Sequence, residues 1–180
     1  GYAMVSQEID RKNIFFLGSN IGEFNRVNIE NKHLLLGIEP GLGNYEITEE
    51  IFNQNLSFFE EILKPQVHYF LVCGLGGLTA SGLVAKLVKL LIQKEQKFTV
   101  VAIIPFSWEG KRRITRASLV YDQLVSLAEE HLIQISLDQL SAQLHSNLLE
   151  IFNYANQCAA QIIKEIIEKG ETSYKFDKQK

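Results

Sequence analysis

The residues best suited to chemistry lie in two turns, each placed after a strand-like run. The first is GLGGLTASG, Gly74 to Gly82. It follows the apolar run His68–Cys73 and precedes a helix expected from about Leu83 to Lys94. A glycine turn between strand and helix lets the backbone approach a ligand closely and aims the helix's free N–H groups at an anion. The second turn, Pro105 to Gly110, follows the apolar run Phe98–Ile104 and leads into Lys111-Arg112-Arg113. Together they describe an anion-binding strand–turn–helix–strand–turn unit. The bland alternative for each is a connection that binds nothing. Metal and nucleophile chemistry are not expected: His33, His68, His131 and His145 are scattered and show no ligand spacing with Cys73 or Cys158. No serine, cysteine and histidine cluster suggests nucleophilic catalysis.

The elements that must position these turns alternate in type. Ile14–Leu17 and His33–Gly37 read as short buried strands, as do the two runs above and Leu132–Ser136. Thr48-Glu49-Glu50 opens a helix whose stripe is Ile51, Phe52, Leu56, Phe59, Ile62 and Leu63, stopped by Pro65. An amphipathic helix is expected over Thr115–Glu130. A long one follows over Ser141–Lys169, with stripe Leu144, Leu148, Ile151, Ala155, Ala159, Ile162 and Ile166. Strands alternating with helices imply parallel pairing. His68–Cys73 and Phe98–Ile104 should be adjacent, parallel and buried on both faces, because each is nearly continuously apolar. The expected architecture is a three-layer, Rossmann-like α/β domain with a mostly parallel sheet over residues 14–170, between a flexible arm (1–13) and a polar tail (171–180).

With 46% hydrophobic residues, the 180-residue chain can bury one sizeable core. A net charge of -3 gives no sign of general nucleic-acid binding. Cys73 and Cys158 read as reduced core residues, which suits a cytoplasmic protein. No apolar run approaches the roughly 20 residues of a membrane span.

Taken together, the two turns resemble those of the tubulin/FtsZ family of cytoskeletal GTPases. That family carries GGGTGTG after a strand, then a helix, then a strand ending in PF-x-FEGKKR. Here IIPFSWEGKRR, Ile103 to Arg113, matches the second motif almost residue for residue, at the family's spacing. The resemblance covers roughly Gly18 to Gly170. It implies a nucleotide-binding domain whose phosphate loop is Gly74, Gly76, Gly77, Thr79, Ser81 and Gly82, with Leu78 and Ala80 where the family has glycine. Glu109 stands where a family glutamate accepts from ribose hydroxyls, and Arg113 where an arginine reaches the nucleotide. Phe152 and Asn156, at i and i+4 on the long helix, match an aromatic that stacks on guanine and a residue that hydrogen-bonds its edge. An amide offers donor and acceptor together. The implied cofactor is GTP or GDP, without a metal site in this chain.

The departures shape the functional expectation. Leu137 replaces a family asparagine. Glu39-Pro40-Gly41-Leu42-Gly43-Asn44 stands in a shorter form of the loop that reaches the terminal phosphate. The family's first strand–loop–helix unit is incomplete here. Ile14–Leu17 matches the second strand by loop length, or the first if it fills that strand's central place beside His68–Cys73. The second placement is preferred, because a central gap leaves backbone groups unpaired. The family continues past the long helix into a loop of catalytic acids and a second domain, whereas this sequence runs out at Lys180. The expectation is a protein that binds a guanine nucleotide weakly, with no GTP turnover and no GTP-driven polymerisation. The alternative is a nucleotide-free interaction module. It would pair with itself or with a full-length FtsZ-like partner, and involve neither nucleic acid nor membrane.

Overall fold

The computed structural model describes residues 9–38 and 47–170, and within them every strand pairing is parallel. The strands are β1 (Phe15–Gly18), β2 (Asn31–Leu34), β3 (His68–Gly74), β4 (Lys97–Ile104) and β5 (Leu132–Ser136). The helices are α1 (Ile21–Arg26), α2 (Glu49–Gln54), α3 (Leu56–Ile62), α4 (Leu78–Gln93), α5 (Lys111–Ala128), α6 (Leu137–Leu144) and α7 (Leu148–Glu168). β3, β4 and β5 form one sheet in that order. On one face α4 and α5 bury Val84, Val88, Ala117 and Leu124 against Cys73, Val100 and Ala102. On the other, Ile151, Ala155 and Ala159 of α7 pack on Val101 and Ile135. This is the expected three-layer α/β arrangement. Val100 and Val101 are fully buried, each worth about 1.5–3 kcal/mol relative to exposure.

α4 is apolar on two sides because it serves two clusters. Leu83 and Leu90 point away from the main sheet, into a group formed by Leu35, Ile47, Phe52 and Phe59. This group joins β2, α2 and α3 to the body of the molecule.

Several expectations need correction. β1 does not lie beside β3. It pairs with β2, Phe15 opposite Asn31 through Gly18 opposite Leu34, in a separate two-stranded sheet. β3 is adjacent and parallel to β4, as expected, but its other edge meets no strand among the described residues. Nor is it buried on both faces: most of it is half-exposed, and Val72 is 36% exposed. Among the described residues, β1 and β3 both line one cavity of about 1310 Å³.

The second strand covers Asn31–Leu34 rather than His33–Gly37. The helix after the glycine turn begins at Leu78 rather than Leu83, so Thr79, Ser81 and Gly82 are helical. The helix expected over 48–63 divides at Asn55, and the one over 141–169 divides at His145–Asn147. Leu148, placed on the inward stripe, is 47% exposed. α1, capped by the Asn20 side chain, follows a turn in which no helix was anticipated. Of the expected arm, residues 11–13 form a 3-10 turn. Residues 39–44 and the tail 171–180 lie outside the described residues.

Candidate functional site

The first turn is held by its own bonds. β3 ends at Gly74, and the Leu75 amide donates to the Ile103 carbonyl of β4 at 2.9 Å. Gly76 then takes φ +89°, a conformation at which only glycine is at ease. A Cβ there would also lie 2.6 Å from Cγ of Arg113. The Gly76 N–H donates to Ser81 Oγ (2.8 Å), and its carbonyl accepts from Arg116 Nη1 (2.8 Å). Gly77 is the N-cap of α4 and supplies no side-chain cap. Thr79 meets Ser19 through their hydroxyls, and Gly82 accommodates Ile47, whose Cβ is 2.7 Å from where a glycine-to-alanine methyl would sit.

The second turn is built around Glu109. One carboxylate oxygen accepts from the Phe106 amide at 2.8 Å, and the other meets Arg113 Nε at 2.9 Å. The Ser107 amide donates to Asp138 at the start of α6 (3.0 Å to Oδ2). Gly110, at φ +94°, caps α5 without a side chain. Trp108, 63% exposed, stacks on buried Phe106 at 4.9 Å between centroids, and Phe152 meets the same ring edge-on at 5.8 Å.

Between the turns lies a cleft of about 570 Å³, lined by Gly76, Gly77, Leu78, Glu109, Gly110, Lys111, Arg112, Arg113 and Arg116. The N-termini of both α4 and α5 reach it, and neither has an acid in its first turn. Two positive helix ends and four cationic side chains surround one carboxylate that is already paired. Such an arrangement attracts an anion.

Of the residues singled out from the sequence, Gly76, Gly77, Glu109 and Arg113 share this cleft. Gly74 and Thr79 line a larger cavity beneath β1 and β3. Ser81 and Gly82 are helical residues engaged in packing and internal bonding. Phe152 and Asn156 lie exposed on α7, tied to the second turn through Phe106. Arg116, Ser19, Asp138 and the Trp108–Phe106 stack were not anticipated. Arg116 alone was signalled, being three residues beyond Arg113 and so on the same helical face.

Burial pushes the Cys73 thiol up to about 12, which leaves it protonated at neutral pH. His33 stacks on Phe58 at 3.8 Å, and His68 meets Thr99 at 2.9 Å. Among the described residues, no group of three or more His, Cys, Asp or Glu could hold a metal ion, and no helix is long and apolar enough to cross a membrane.

No family model matches the chain. It is 28% identical over 183 residues to the cell division protein FtsZ of Buchnera aphidicola subsp. Baizongia pistaciae, covering 92% of this chain and 45% of that protein. It is 32% identical over 145 residues to cell division protein FtsZ 1 of Thermococcus kodakarensis, covering 77% of this chain and 38% of that one. The chain thus spans less than half the length of these curated relatives. Among solved structures, an empty FtsZ dimer from M. jannaschii superposes with a TM-score of 0.73 at 22% identity, over 86% of this chain and 46% of that one. A GTPγS-bound CetZ2 protofilament from Haloferax volcanii gives 0.73 at 17% identity, over 96% and 55%. At such identities the structural likeness establishes the fold alone.

Proposed function

Because this chain belongs to the tubulin/FtsZ family, we propose that the cleft between its two glycine turns binds a guanine nucleotide weakly. The observation that carries this reading is the convergence of two helix N-termini, lacking side-chain caps, with Lys111, Arg112, Arg113 and Arg116 on one concavity. The relative solved with GTPγS has the same fold. In this reading the phosphates lie against Gly76–Leu78, the ribose near Glu109, and the base by Phe152 and Asn156.

Weakness follows from what a ligand must displace. Ser81 Oγ and the Gly76 amide already satisfy each other, Thr79 is engaged by Ser19, and Glu109 by Arg113. A hydrogen bond to a charged group is worth about 1.5–3 kcal/mol. Forgoing two of them weakens binding by roughly a hundredfold or more. Affinity is therefore expected in the micromolar range or weaker. The one acid lining the cleft is ion-paired, so we also expect no steady-state GTP turnover by this chain alone.

Titration calorimetry with GTP, GDP and ATP tests the proposal. Asn156→Ala should erase a preference for guanine over adenine, and Phe152→Ala should weaken both. Tight binding indifferent to Phe152, Asn156 and Glu109 would place the ligand elsewhere. A second reading, a nucleotide-free module that pairs with itself or with a full-length relative, is favoured by the same internal bonds, which complete the turn without a ligand. No heat with any nucleotide, together with self-association in sedimentation, selects it.

A further inference from the structure

The motif that carries the family resemblance ends at Arg113, but the cationic face of α5 continues past it. Arg116 lies at i+4 from Arg112 and i+3 from Arg113, so the three arginines stand on one side of the helix. Like charges at these spacings destabilise a helix, and cations are disfavoured near its positive N-terminal end. Arg113 is compensated by Glu109 at 2.9 Å. Arg116 has no carboxylate partner among the described residues, yet it is half-buried on the wall of the cleft. One donor of its guanidinium, on Nη1, goes to the Gly76 carbonyl at 2.8 Å. Arginine carries five N–H donors in a rigid plane, so the Nε–Nη2 edge is left for a bidentate acceptor. The bond to Gly76 fixes that plane against the turn before α4, where Gly77 and Leu78 line the same cleft. A cation at an unfavourable position, tethered rather than left to swing into water, breaks a local rule in the way functional residues do.

We propose that Arg116 binds the terminal phosphate of a polyphosphate chain lying along α5, and so makes the cleft sensitive to the number of phosphates. The direction of that chain rests on the nucleotide reading given above. Glu109, beside which the ribose is placed, precedes α5. Arg113 follows it by four residues, and Arg116 stands three further on, about 4.5 Å along the helix axis at about 1.5 Å per residue. A ligand anchored at Glu109 that follows this face meets Arg113 first and Arg116 last. A nucleoside triphosphate has one more phosphate than a diphosphate with which to cover that distance. The planar fork of arginine matches a phosphate in a way that the point charge of lysine does not. Gain of this contact leaves the bond to the Gly76 carbonyl in place, because the two use different edges of the guanidinium.

Titration calorimetry of the whole chain with GTP, GDP and inorganic tripolyphosphate tests this. Arg116→Gln should weaken GTP and tripolyphosphate by about tenfold or more, the loss of one hydrogen bond to a charged group, while GDP stays within about twofold. Arg116→Lys keeps the charge without the fork and should fall between Arg116→Gln and the unaltered chain for GTP. Lys89→Gln, exposed on α4 and outside the cleft, should change none of the three. Equal weakening of GTP and GDP by Arg116→Gln overturns the proposal, because Arg116 then acts only by holding the Gly76 turn. So does tripolyphosphate that gives no heat with the unaltered chain, or that binds it and Arg116→Gln alike. A chain that binds tripolyphosphate through Arg116 but neither GTP nor GDP upholds the phosphate contact and refutes the nucleotide reading alone.

Discussion

Asn55 is 1% exposed and uses the full hydrogen-bonding capacity of its amide. Its nitrogen donates to the carbonyls of Leu36 (3.1 Å) and Ile51 (2.7 Å). Its oxygen accepts from the Leu36 amide (2.8 Å) and from His33 Nε2 (2.9 Å). One side chain thereby ties the end of β2 to the junction of α2 and α3. Asn55→Ala strands the Leu36 amide and its carbonyl, and should cost about 1–3 kcal/mol in urea unfolding. Asn55→Asp removes both donors and buries a charge, so it should cost more. Equal stability of the two variants would contradict the geometry. The same residue-scale reasoning explains Gly76: a methyl there meets both an unfavourable φ and the Arg113 side chain. In both turns the residues that resemble ligand-binding groups already serve as partners for one another.

α6 and α7 read from the sequence as one continuous helix, and the break between them comes from His145. It sits at φ 48°, ψ 34°, the left-handed position that closes a helix. Asn147 then caps α7 by accepting from the Glu150 amide at 3.0 Å. A side chain in the left-handed region costs about 1–2 kcal/mol, which glycine avoids at some entropic expense. His145→Gly should therefore raise the unfolding free energy measured in urea by about 0.5–1 kcal/mol net, and His145→Ala should not. A loss of stability in the glycine variant would mean that the imidazole has a role the backbone does not reveal. The break matters to the site because it lets α6 present Asp138 to the Ser107 amide while α7 brings Phe152 to Phe106.

Across the whole molecule, α4 is the wall that two hydrophobic clusters share. Leu83 belongs to the cluster containing Leu35 and Phe59, whereas Leu124 of α5 lies in the one beneath β3 and β4. Each leucine-to-alanine change should cost about 2–5 kcal/mol, but the losses should fall in different places. Leu83→Ala should raise exchange first at Phe15–Gly18 and Asn31–Leu34, and Leu124→Ala at His68–Gly74 and Lys97–Ile104. Equal opening of both sheets in both variants would show one indivisible cooperative unit.

The sequence by itself determined the type of most elements, the parallel pairing of β3 with β4 and the family. Apolar runs punctuated by glycine and proline are local signals, and IIPFSWEGKRR is nearly intact. It also singled out Glu109 and Arg113, through the motif they share, though not the ion pair between them. Tertiary structure decided the rest. Whether a helix breaks at Asn55 or His145 depends on the element that packs beside it, and no period in the sequence records that. Gly82 reads as part of a loop because glycine is a poor helix former, yet Ile47, thirty-five positions earlier, needs the space it leaves. The partner of β1 was misplaced beside β3, because register and neighbour are set by contacts between distant strands. Local pattern fixes what an element is; only the packing of its neighbours decides where it stands.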